Sequence, residues 1–571
     1  MKISRYKVLI LLLFLASTAW SEEYGYPIKG VKGLYSASFG EMRPAHFHSG
    51  IDIRTEGVEG KAVVAVADGY ISRVAVSPTG YGLALYVTHP EKGTMSVYAH
   101  LSRLRRDVAD YLTEARYKRK QNRITLFPDQ ELFPVMKGDT IAFSGNSGSS
   151  FGPHLHFEVR NIESGHTLNP VQHGIITPDD NIAPKILKLH YIALDSVGYG
   201  VKSRLHSSYN VVASDNNSYT LQKAVEIGQR GYFAIEVRDS RNGTTNRFGI
   251  YRARMYIDNA PRFEYAINSF DFADTRHCNL SSFYPLQLSA KCEVLRLAKM
   301  PLAPQYLYNA ALGDGIIEYD GDNRQRISIV VEDECGNSSS LEFSTRFVEE
   351  DSPTYDLATM VDLNDKNTHI AERGFSLFIP RGALYETECY NGSIVTDCEI
   401  KSDLPILSPI YSIFDEETAL NKAVKARFAV KAPIELQRHL CVATIDGKGE
   451  LKHLGGYYLT DSVEVVFRRG GDMVVVADTS SPVITPRFKE DADMRGVKRL
   501  SFHVKDNFSG IKHYSLYIDN RWRSVDLQPI RGELTHTFDI PLDGRARKRS
   551  VRLEVEDRCG NKSVWQGSIL K

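Results

Sequence analysis

Short runs of alternating apolar and polar residues, separated by glycine and proline, extend along most of this 571-residue chain. Successive side chains of a β-strand point to opposite faces, so these runs predict half-buried strands. The first four are 61–67, 70–76, 83–88 and 95–98. The contents of Tyr (30), Phe (25) and Gly (42) also favour strands and turns. We therefore predict a mainly β protein, and the average shares of hydrophobic (42%) and charged (25%) residues exclude a disordered, collagen-like or coiled-coil chain.

Part of this pattern is repeated within the chain. The segment Val-Glu-Asp-Glu-Cys-Gly-Asn at 331–337 recurs with one change at 555–561. Upstream of these segments, 248–258 is echoed by 509–519, and each copy follows a predicted strand that ends in aspartate. Repeated short strands with turn residues between them are typical of β-sandwich modules. We expect two similar immunoglobulin-like sandwiches, the first carrying an insertion around 268–315, on either side of a different β-rich module.

Domain boundaries are indicated by an aspartate, a short polar stretch and a proline followed by a β-branched residue. Asp180 to Ile186 and Asp478 to Ile484 share this pattern, and Pro353 marks a weaker break. The predicted division is a signal peptide (1–21), a first β domain (22–178), a sandwich with an insertion (179–350), a distinct β-rich module (351–477) and a C-terminal sandwich (478–571).

The N-terminus predicts export. Lys2, Arg5 and Lys7 precede nine apolar residues at 8–16, and small residues suited to signal-peptidase cleavage end at Ser21. An uncleaved membrane anchor is the alternative, but the apolar run is shorter than the ~20 residues that span a bilayer. Cleavage leaves 67 basic and 70 acidic residues, a charge of −3. This lack of a basic excess argues against nucleic-acid binding. We expect a periplasmic, envelope or extracellular protein without a transmembrane anchor after cleavage.

Seven cysteines lie between 278 and 559. An odd number leaves at least one unpaired, and Cys278–Cys292 and Cys389–Cys398 are the nearest pairs in sequence. None has Cys-x-x-Cys spacing, which argues against a thiolate zinc site. Because none precedes residue 278, the chemistry of the first third of the chain does not use thiols.

Histidines cluster in that first third. His154 and His156 are two apart on a predicted strand, so both project from one face while Leu155 and Phe157 enter the core. An extended chain would place His48 and Asp52 ~13 Å apart, and Gly50 lets it bend so that they converge. His48, Asp52 and one of the paired histidines would give zinc three ligands and leave the fourth position for water. His46 could compete as a ligand, although we expect a structural or supporting role.

The motifs around these residues resemble the lysostaphin/LytM-type zinc metallopeptidase family. They are His48-x-x-x-Asp52, Tyr98-Ala-His100-Leu101 and Gly152-Pro-His154-Leu-His156, and they occur in order within about 30–172. The family consists of peptidoglycan endopeptidases built on a small antiparallel β-sheet domain. The resemblance implies that His48, Asp52 and His156 bind Zn²⁺, and that His154 and His100 line the cleft and assist catalysis. The implied fold is an antiparallel β-sheet peptidase domain followed by two or three β-sandwich modules.

The resemblance also implies a mechanism. Zinc would activate a water and polarise the scissile carbonyl, and His154 would carry the water proton to the leaving amine. His100 would hydrogen-bond the water or the developing oxyanion, and the residues alone leave open which histidine is the base. The expected substrate is the peptide stem or cross-bridge of peptidoglycan, with an envelope protein as a further partner of the β modules. The alternatives are a scaffold that activates another wall hydrolase and a structural, adhesive envelope protein.

One segment departs from the family pattern. The stretch 101–135 is longer than the usual connection, and Leu101, Leu104, Val108 and Leu112 predict a helix over 101–119 with a basic end. A lid, a specificity wall, a docking arm and a tolerated surface insertion are all compatible with it.

Overall fold

The computed structural model describes residues 24–571 except 198–199, 320, 322–323, 350–352, 356–359, 362–366, 373, 391, 397 and 539–546. The predicted signal peptide lies outside the described residues. The chain is mainly β, as predicted, and antiparallel pairing dominates its sheets. Within the described part, no helix is both long enough and apolar enough to cross a membrane.

The first region is a β-sheet domain with one long helix. Its main sheet has the order β1-β4-β13-β8-β7-β6-β10, β14 extends it beside β13, and β5, β12 and β9 form a small second sheet. Its elements are β1 (Tyr35–Ala37), β2 (Met42–Arg43), β3 (His46–Phe47), β4 (Ile51–Arg54), β5 (Ala62–Val64), β6 (Gly69–Val76), β7 (Leu83–His89), β8 (Thr94–Ala99), β9 (Leu101–Leu104), α1 (Arg106–Arg119), β10 (Ile124–Leu126), β11 (Pro134–Val135), β12 (Thr140–Ser144), β13 (His154–Asn161) and β14 (His166–Leu168).

The predicted helix over 101–119 is wrong at its start. Residues 101–104 form strand β9, which pairs with β12, and the helix α1 begins only at Arg106. Leu101 and Leu104 are both buried in the core, and because residues three apart on a strand lie on opposite faces, both faces of β9 are covered.

The second region contains two facing sheets with an insertion between their strands. The orders are β16-β15-β20-β24 and β17-β18-β27-β26-β21-β22. Its elements are β15 (Lys185–Val197), β16 (Gly200–Asn210), β17 (Val212–Asp215), β18 (Ser218–Thr220), β19 (Val225–Ile227), β20 (Arg230–Arg238), β21 (Arg252–Ile257), β22 (Ala260–Ala266), β23 (Ser269–Asp271), α2 (Cys278–Ser281), α3 (Tyr284–Ser289), β24 (Glu293–Arg296), β25 (Ile317–Glu318), β26 (Arg326–Glu332) and β27 (Ser338–Phe347).

The insertion joins this region to the first one. Strand β23 pairs with β14 and so extends the main sheet of the first region. Phe270 on β23 packs 5.2 Å from Phe39 and 5.3 Å from Phe47, measured between ring centroids. The apolar core therefore continues from the first region into the second.

The third region is built on the sheets β29-β30-β34-β38-β37 and β32-β33-β39-β35-β36. Its elements are β28 (Met360–Val361), β29 (Thr368–Glu372), β30 (Phe375–Ile379), β31 (Glu388–Cys389), β32 (Ser393–Val395), β33 (Ile410–Ile413), β34 (Ala419–Ala429), α4 (Ile434–Gln437), β35 (Leu440–Ile445), β36 (Leu451–Gly455), β37 (Tyr457–Tyr458), β38 (Ser462–Arg469) and β39 (Gly471–Ala477).

The last region repeats part of the second. Its sheet β41-β48-β47-β43-β44 has the strand order of β18-β27-β26-β21-β22, so the sequence repeat is also a repeat of topology. Its strands are β40 (Val483–Pro486), β41 (Ala492–Asp493), β42 (Arg499–Lys505), β43 (Ile511–Ile518), β44 (Arg521–Arg523), β45 (Asp526–Gln528), β46 (Glu533–Thr537), β47 (Lys548–Asp557) and β48 (Lys562–Leu570).

The cysteine side chains that the structure describes are all free thiols. Cys278 is buried and its thiol contacts the carbonyl oxygen of Arg43, while Cys292 lies beside Glu236. The closures Cys278–Cys292 and Cys389–Cys398 therefore do not form, since Cys292 and Cys398 are both free.

Candidate metal centre

Strands β4 and β13 bring the predicted ligands together. They are antiparallel neighbours, and their register sets Asp52 opposite His156. Gly50, just before β4, is needed for a reason that differs from the predicted bend. A Cβ there would lie 2.2 Å from the carbonyl oxygen of Phe157, so the close approach of the two segments excludes any side chain.

His48, Asp52 and His156 form one compact, buried group. Oδ1 of Asp52 lies 3.1 Å from Nε2 of His48 and 2.8 Å from Nδ1 of His156, and these two nitrogens are 3.1 Å apart. The three residues are only 2–8% exposed. Two nitrogens and one carboxylate oxygen that converge in this way could hold a metal ion. Zinc sites of enzymes use such three-ligand sets and keep a fourth position open.

In His48 and His156, one ring nitrogen faces the group and the other, outer nitrogen points away from it. The hydrogen bond made by the outer nitrogen decides which nitrogen carries the proton. Nδ1 of His48 donates to the carbonyl oxygen of Ser38 (2.7 Å), and Nε2 of His156 donates to Oε1 of Glu158 (2.8 Å). A neutral imidazole that carries its proton on the outer nitrogen presents a lone pair on the inner one. The ligands and their tautomers therefore fit a zinc ion.

The electrostatics of the group favour a cation. Burial alone would raise the pKa of Asp52, but His48 and the hydrogen bonds from both histidines hold it well below its ordinary value. Arg43 adds a contact of 3.1 Å to Oδ2. Burial opposes a charge on His156, yet the hydrogen bonds with Asp52 and Glu158 raise its pKa to about 9. The negative field that retains a proton there would also attract a divalent metal ion.

His154 and His100 lie beside the group without belonging to it. Nε2 of His154 is 3.6 Å from Oδ1 of Asp52, and its Nδ1 donates to the carbonyl oxygen of Gly152 (2.9 Å). Nδ1 of His100 donates to the carbonyl oxygen of Ser147 (2.8 Å). The ring centroids of the two histidines are 4.7 Å apart. In the neutral form of each ring, Nε2 therefore carries the lone pair and is available as a proton acceptor.

His100 has two properties typical of a functional residue. Its φ is +58°, a left-handed conformation that is uncommon for a residue other than glycine and that clusters at functional sites. Burial, together with the neighbouring His154 and His156, lowers its pKa to about 3. His100 is therefore a neutral imidazole at neutral pH.

A buried carboxylate supports the group from behind. Glu158 is fully buried and accepts hydrogen bonds from His156, from Ser49 (2.5 Å), from Tyr81 and from two nitrogens of Arg160 (2.8 and 2.6 Å). Burial opposes its ionisation, but Arg160 and these donors hold the pKa of Glu158 far below its ordinary range. Sequence reasoning gave this residue no role.

The alternation that predicted the paired histidines could have found this support. Every second side chain of β13 lies on the same face of the sheet, and that series continues past the histidines. Its members are His154, His156, Glu158 and Arg160.

Two other histidines lie outside the group. His46 is exposed on β3 and is not one of the converging side chains. His89 ends β7 and is fully buried, where it contacts the carbonyl oxygen of Asp68 (2.9 Å) and Oγ of Ser96 (2.7 Å). It is a structural histidine.

The segment 101–135 docks on the C-terminal region of its own chain. Nη2 of Arg116 donates to Asp526 (2.7 Å), and the side-chain amide of Asn122 bonds the backbone of Tyr514 and Val525 (2.9 Å each). Helix α1 thus packs against a strand 410 residues further along the sequence. A cavity of about 220 Å³ at this interface extends to the 146–148 loop that anchors His100.

The insertion of the second region lies on another side of the centre. Thr275 donates to the carbonyl oxygen of Phe47 (3.1 Å), next to His48. The ring of Phe272 lies 4.4 Å from the guanidinium of Arg160. Parts of the second and last regions therefore both contact the first region.

Comparison with known proteins agrees with the motifs. Residues 46–115, which include His48, Asp52 and His100, match Peptidase family M23, and residues 358–478 match a Zu5-like domain. An uncharacterized metalloprotease of Haemophilus influenzae is 33% identical over 132 residues, which is 23% of this chain and 21% of that protein. The DD-carboxypeptidase/endopeptidase Mpg of Neisseria meningitidis serogroup B is 33% identical over 138 residues, 24% of this chain and 25% of that protein. The chain thus spans about a quarter or less of these relatives.

Two solved catalytic domains are similar to about a quarter of this chain. The catalytic domain of the prophage-encoded M23 protein EnpA from Enterococcus faecalis is 24% identical, with 24% of this chain and 85% of that chain covered and a TM-score of 0.17. The catalytic domain of lysostaphin from Staphylococcus simulans is 22% identical, with 27% and 89% covered and a TM-score of 0.16. Such low scores carry no argument of their own. From the matched residues and the relatives, we conclude that this chain carries a peptidase family M23 domain near its N-terminus and a Zu5-like domain further along.

Proposed function

We propose that this protein is an exported, zinc-dependent endopeptidase that hydrolyses the peptide cross-links of bacterial peptidoglycan. The observation that carries the proposal is the convergence of His48, Asp52 and His156, flanked by His154 and His100. The M23 match and the relative named as a DD-carboxypeptidase/endopeptidase support the substrate class.

His48 through Nε2, Asp52 through its carboxylate and His156 through Nδ1 would hold the zinc ion. When bound, zinc lowers the pKa of a water molecule and polarises the scissile carbonyl. Ser38 and Glu158 keep the two imidazoles in the ligand tautomer and the correct orientation. Arg160 keeps the Glu158 carboxylate charged and in place.

His154 and His100 are the proposed catalytic residues, with different tasks. Each donates from Nδ1 to a backbone carbonyl, so each presents the lone pair of Nε2. Nε2 of His154 lies close to the ligand Asp52, and we assign it the step that accepts a proton from the attacking water and returns it to the leaving amine. The pKa of His100 is lowered to about 3, so this ring stays neutral and would accept a hydrogen bond that orients the water.

An exposed aromatic ring next to His154 is a candidate substrate contact. Phe151 is 91% exposed and precedes His154 by three residues, in the loop that anchors the catalytic ring through Gly152. An apolar side chain so exposed beside a reaction centre offers a surface for the peptide stem. We propose that Phe151 contributes to substrate binding rather than to chemistry.

We further propose the division of the chain that the sequence predicts. The peptidase domain occupies 22–178, a sandwich with an insertion 179–350, a β-rich module 351–477 and the C-terminal sandwich 478–571. The location is the periplasm, the cell envelope or the exterior, after removal of residues 1–21. An envelope protein is the proposed partner of the β modules.

Mass spectrometry of muropeptides tests the proposal. Zinc-loaded protein should convert cross-linked muropeptides into shorter species, each cut exposing one new amino group and one new carboxylate. His154→Gln should release none. The matched control is His46→Gln, which removes an exposed histidine close to the centre and should act like the wild type. An unchanged muropeptide profile with zinc-loaded wild type, or cleavage of glycan strands alone, would overturn the proposal.

A further inference from the structure

Three aspartates converge where the chain enters its last region, far from the peptidase centre in the sequence. They are Asp478, Asp506 at the end of β42, and Asp557 at the end of β47, and one carboxylate oxygen of each lies within 4.8 Å of the others. Asp478 and Asp557 are fully buried. Asp506 is half-buried, and three negative charges at this separation, two of them fully buried, repel one another strongly unless a cation lies between them.

Among the residues that the structure describes, no lysine or arginine side chain supplies such a cation. Oδ2 of Asp478 and Oδ1 of Asp506 are buried without a hydrogen-bond partner in the part of the chain that the structure describes. Within the same part, none of the three carboxylates forms an ion pair with lysine or arginine. Burial and the charges of the other two aspartates raise the pKa of Asp557. Two unpartnered oxygens in a buried acidic group are the arrangement that a metal ion would complete.

Backbone groups hold the carboxylates in place from outside. Oδ2 of Asp506 accepts from the N–H groups of Phe508 (3.0 Å) and Gly510 (2.7 Å). Oδ1 of Asp557 accepts from the N–H groups of Cys559 (2.9 Å) and Asn561 (2.8 Å). The positions of the carboxylates are thus fixed before any ion arrives, which lowers the cost of binding.

The first copy of the repeat has an arginine beside one of the corresponding aspartates. Its aspartates are Asp180, Asp239 and Asp333, and Oδ1 of Asp333 accepts from the backbone two and four residues later at 2.9 and 2.8 Å, as Asp557 does. Two residues after Asp239 stands Arg241, whose Nε lies 4.0 Å from Oδ2 of Asp239. Two residues after Asp506 stands Phe508. The second cluster therefore lacks the arginine charge that lies beside Asp239 in the first, where the same guanidinium also donates to Glu334.

We propose that Asp478, Asp506 and Asp557 bind one Ca²⁺ ion, and that the first copy of the repeat, in which Arg241 lies beside Asp239, binds none. The donor set consists of carboxylate oxygens, which calcium prefers, whereas zinc and copper select nitrogen and sulfur. The ion would join two regions, because the backbone N–H of Asp478 donates to the carbonyl oxygen of His439 (3.0 Å) and its carbonyl accepts from Asn561 (2.8 Å). It would fix the C-terminal region, on which helix α1 docks, against the Zu5-like domain.

Calorimetric titration with CaCl₂ tests this site on the full, zinc-loaded chain. The wild type should bind one Ca²⁺ per chain with a Kd of about 10⁻³ M or tighter, as modules outside the cell do. Asp506→Asn keeps the shape of the side chain but removes a charge, and it should weaken binding at least about tenfold. Asp239→Asn makes the same change in the copy that holds Arg241, so it should leave stoichiometry and Kd unchanged.

Four results would overturn the proposal. They are the absence of Ca²⁺ binding by the wild type at 10-fold excess over that Kd, wild-type affinity in Asp506→Asn, loss of binding in Asp239→Asn, and equal affinity for MgCl₂. Circular dichroism of each variant without calcium confirms that it is folded before titration. The wild-type titration alone decides whether a site exists, whatever the variants do.

Discussion

Replacing Glu158 by glutamine is expected to weaken zinc binding although residue 158 is not a ligand. Oε1 of the carboxylate accepts hydrogen bonds from His156 and from two hydroxyl groups. Oε2 accepts hydrogen bonds from two nitrogens of Arg160. A glutamine has one oxygen and one NH₂ group, so whichever way it turns, donors on one side face another donor. Each lost hydrogen bond to a charged group is worth about 1.5–3 kcal/mol.

The expected loss is 10- to 100-fold in zinc affinity, as for other residues that orient a metal-bound histidine. That range corresponds to about 1.4–2.8 kcal/mol. Competition with a chromogenic chelator measures the affinity, and peptidoglycan hydrolysis measures the activity. Glu464→Gln is the matched control, since Glu464 is 5% exposed, accepts from Arg427 (3.0 Å) and Tyr457, and lies in the Zu5-like domain.

Unchanged zinc affinity in Glu158→Gln would refute the orienting role of Glu158. An equal loss in Glu464→Gln would show that the effect is a general one of buried carboxylates. Either result would remove the argument that the hydrogen bond on the outer nitrogen of His156 prepares its inner nitrogen for the metal.

Three further predictions concern catalysis, the docked helix and pH. His154→Ala and His100→Ala should keep their zinc, measured by atomic absorption, and lose about 10²- to 10⁴-fold in kcat; loss of zinc from either would contradict the division into ligands and catalytic residues. Arg116→Ala should destabilise the docking of α1 by about 1–3 kcal/mol and speed proteolysis of the C-terminal region, whereas exposed Lys118→Ala should not. Burial raises the pKa of Glu293 to about 7, above the 4.5 of an unfolded chain. Its contribution to stability is therefore present below pH 4.5 and is lost as the pH rises through 7. We expect the free energy of unfolding, measured with urea, to fall by about 3 kcal/mol over this range, and Glu293→Gln should reduce that fall.

The strands and the ligand group were predictable because they depend on local pattern. Alternation located β6, β7 and β8 to within a residue or two at each end. The pairing of His154 with His156 on one face follows from strand geometry alone. The convergence of His48 and Asp52 on His156 was predicted from the family resemblance and from the requirement that three ligands of one metal ion lie close together.

Other features were not predictable from local pattern. The contact between Arg116 and Asp526 joins residues 410 apart in sequence, and no periodic pattern predicts a contact over such a separation. The requirement for Gly50 comes from the carbonyl oxygen of Phe157, on a strand more than 100 residues away. Leu101 and Leu104 have the spacing of a helix face, but they lie on opposite faces of strand β9, which are both buried. The role of Glu158 could have been predicted by following the alternation along the strand beyond His156.

The most direct test of the central claim is the release of soluble fragments from purified peptidoglycan with and without a chelator. The account predicts that zinc-loaded protein solubilises the wall, that a chelator stops it, and that added zinc restores it through His48, Asp52 and His156. Solubilisation that persists after the metal is removed, or none at all from protein shown to hold zinc, would contradict the account.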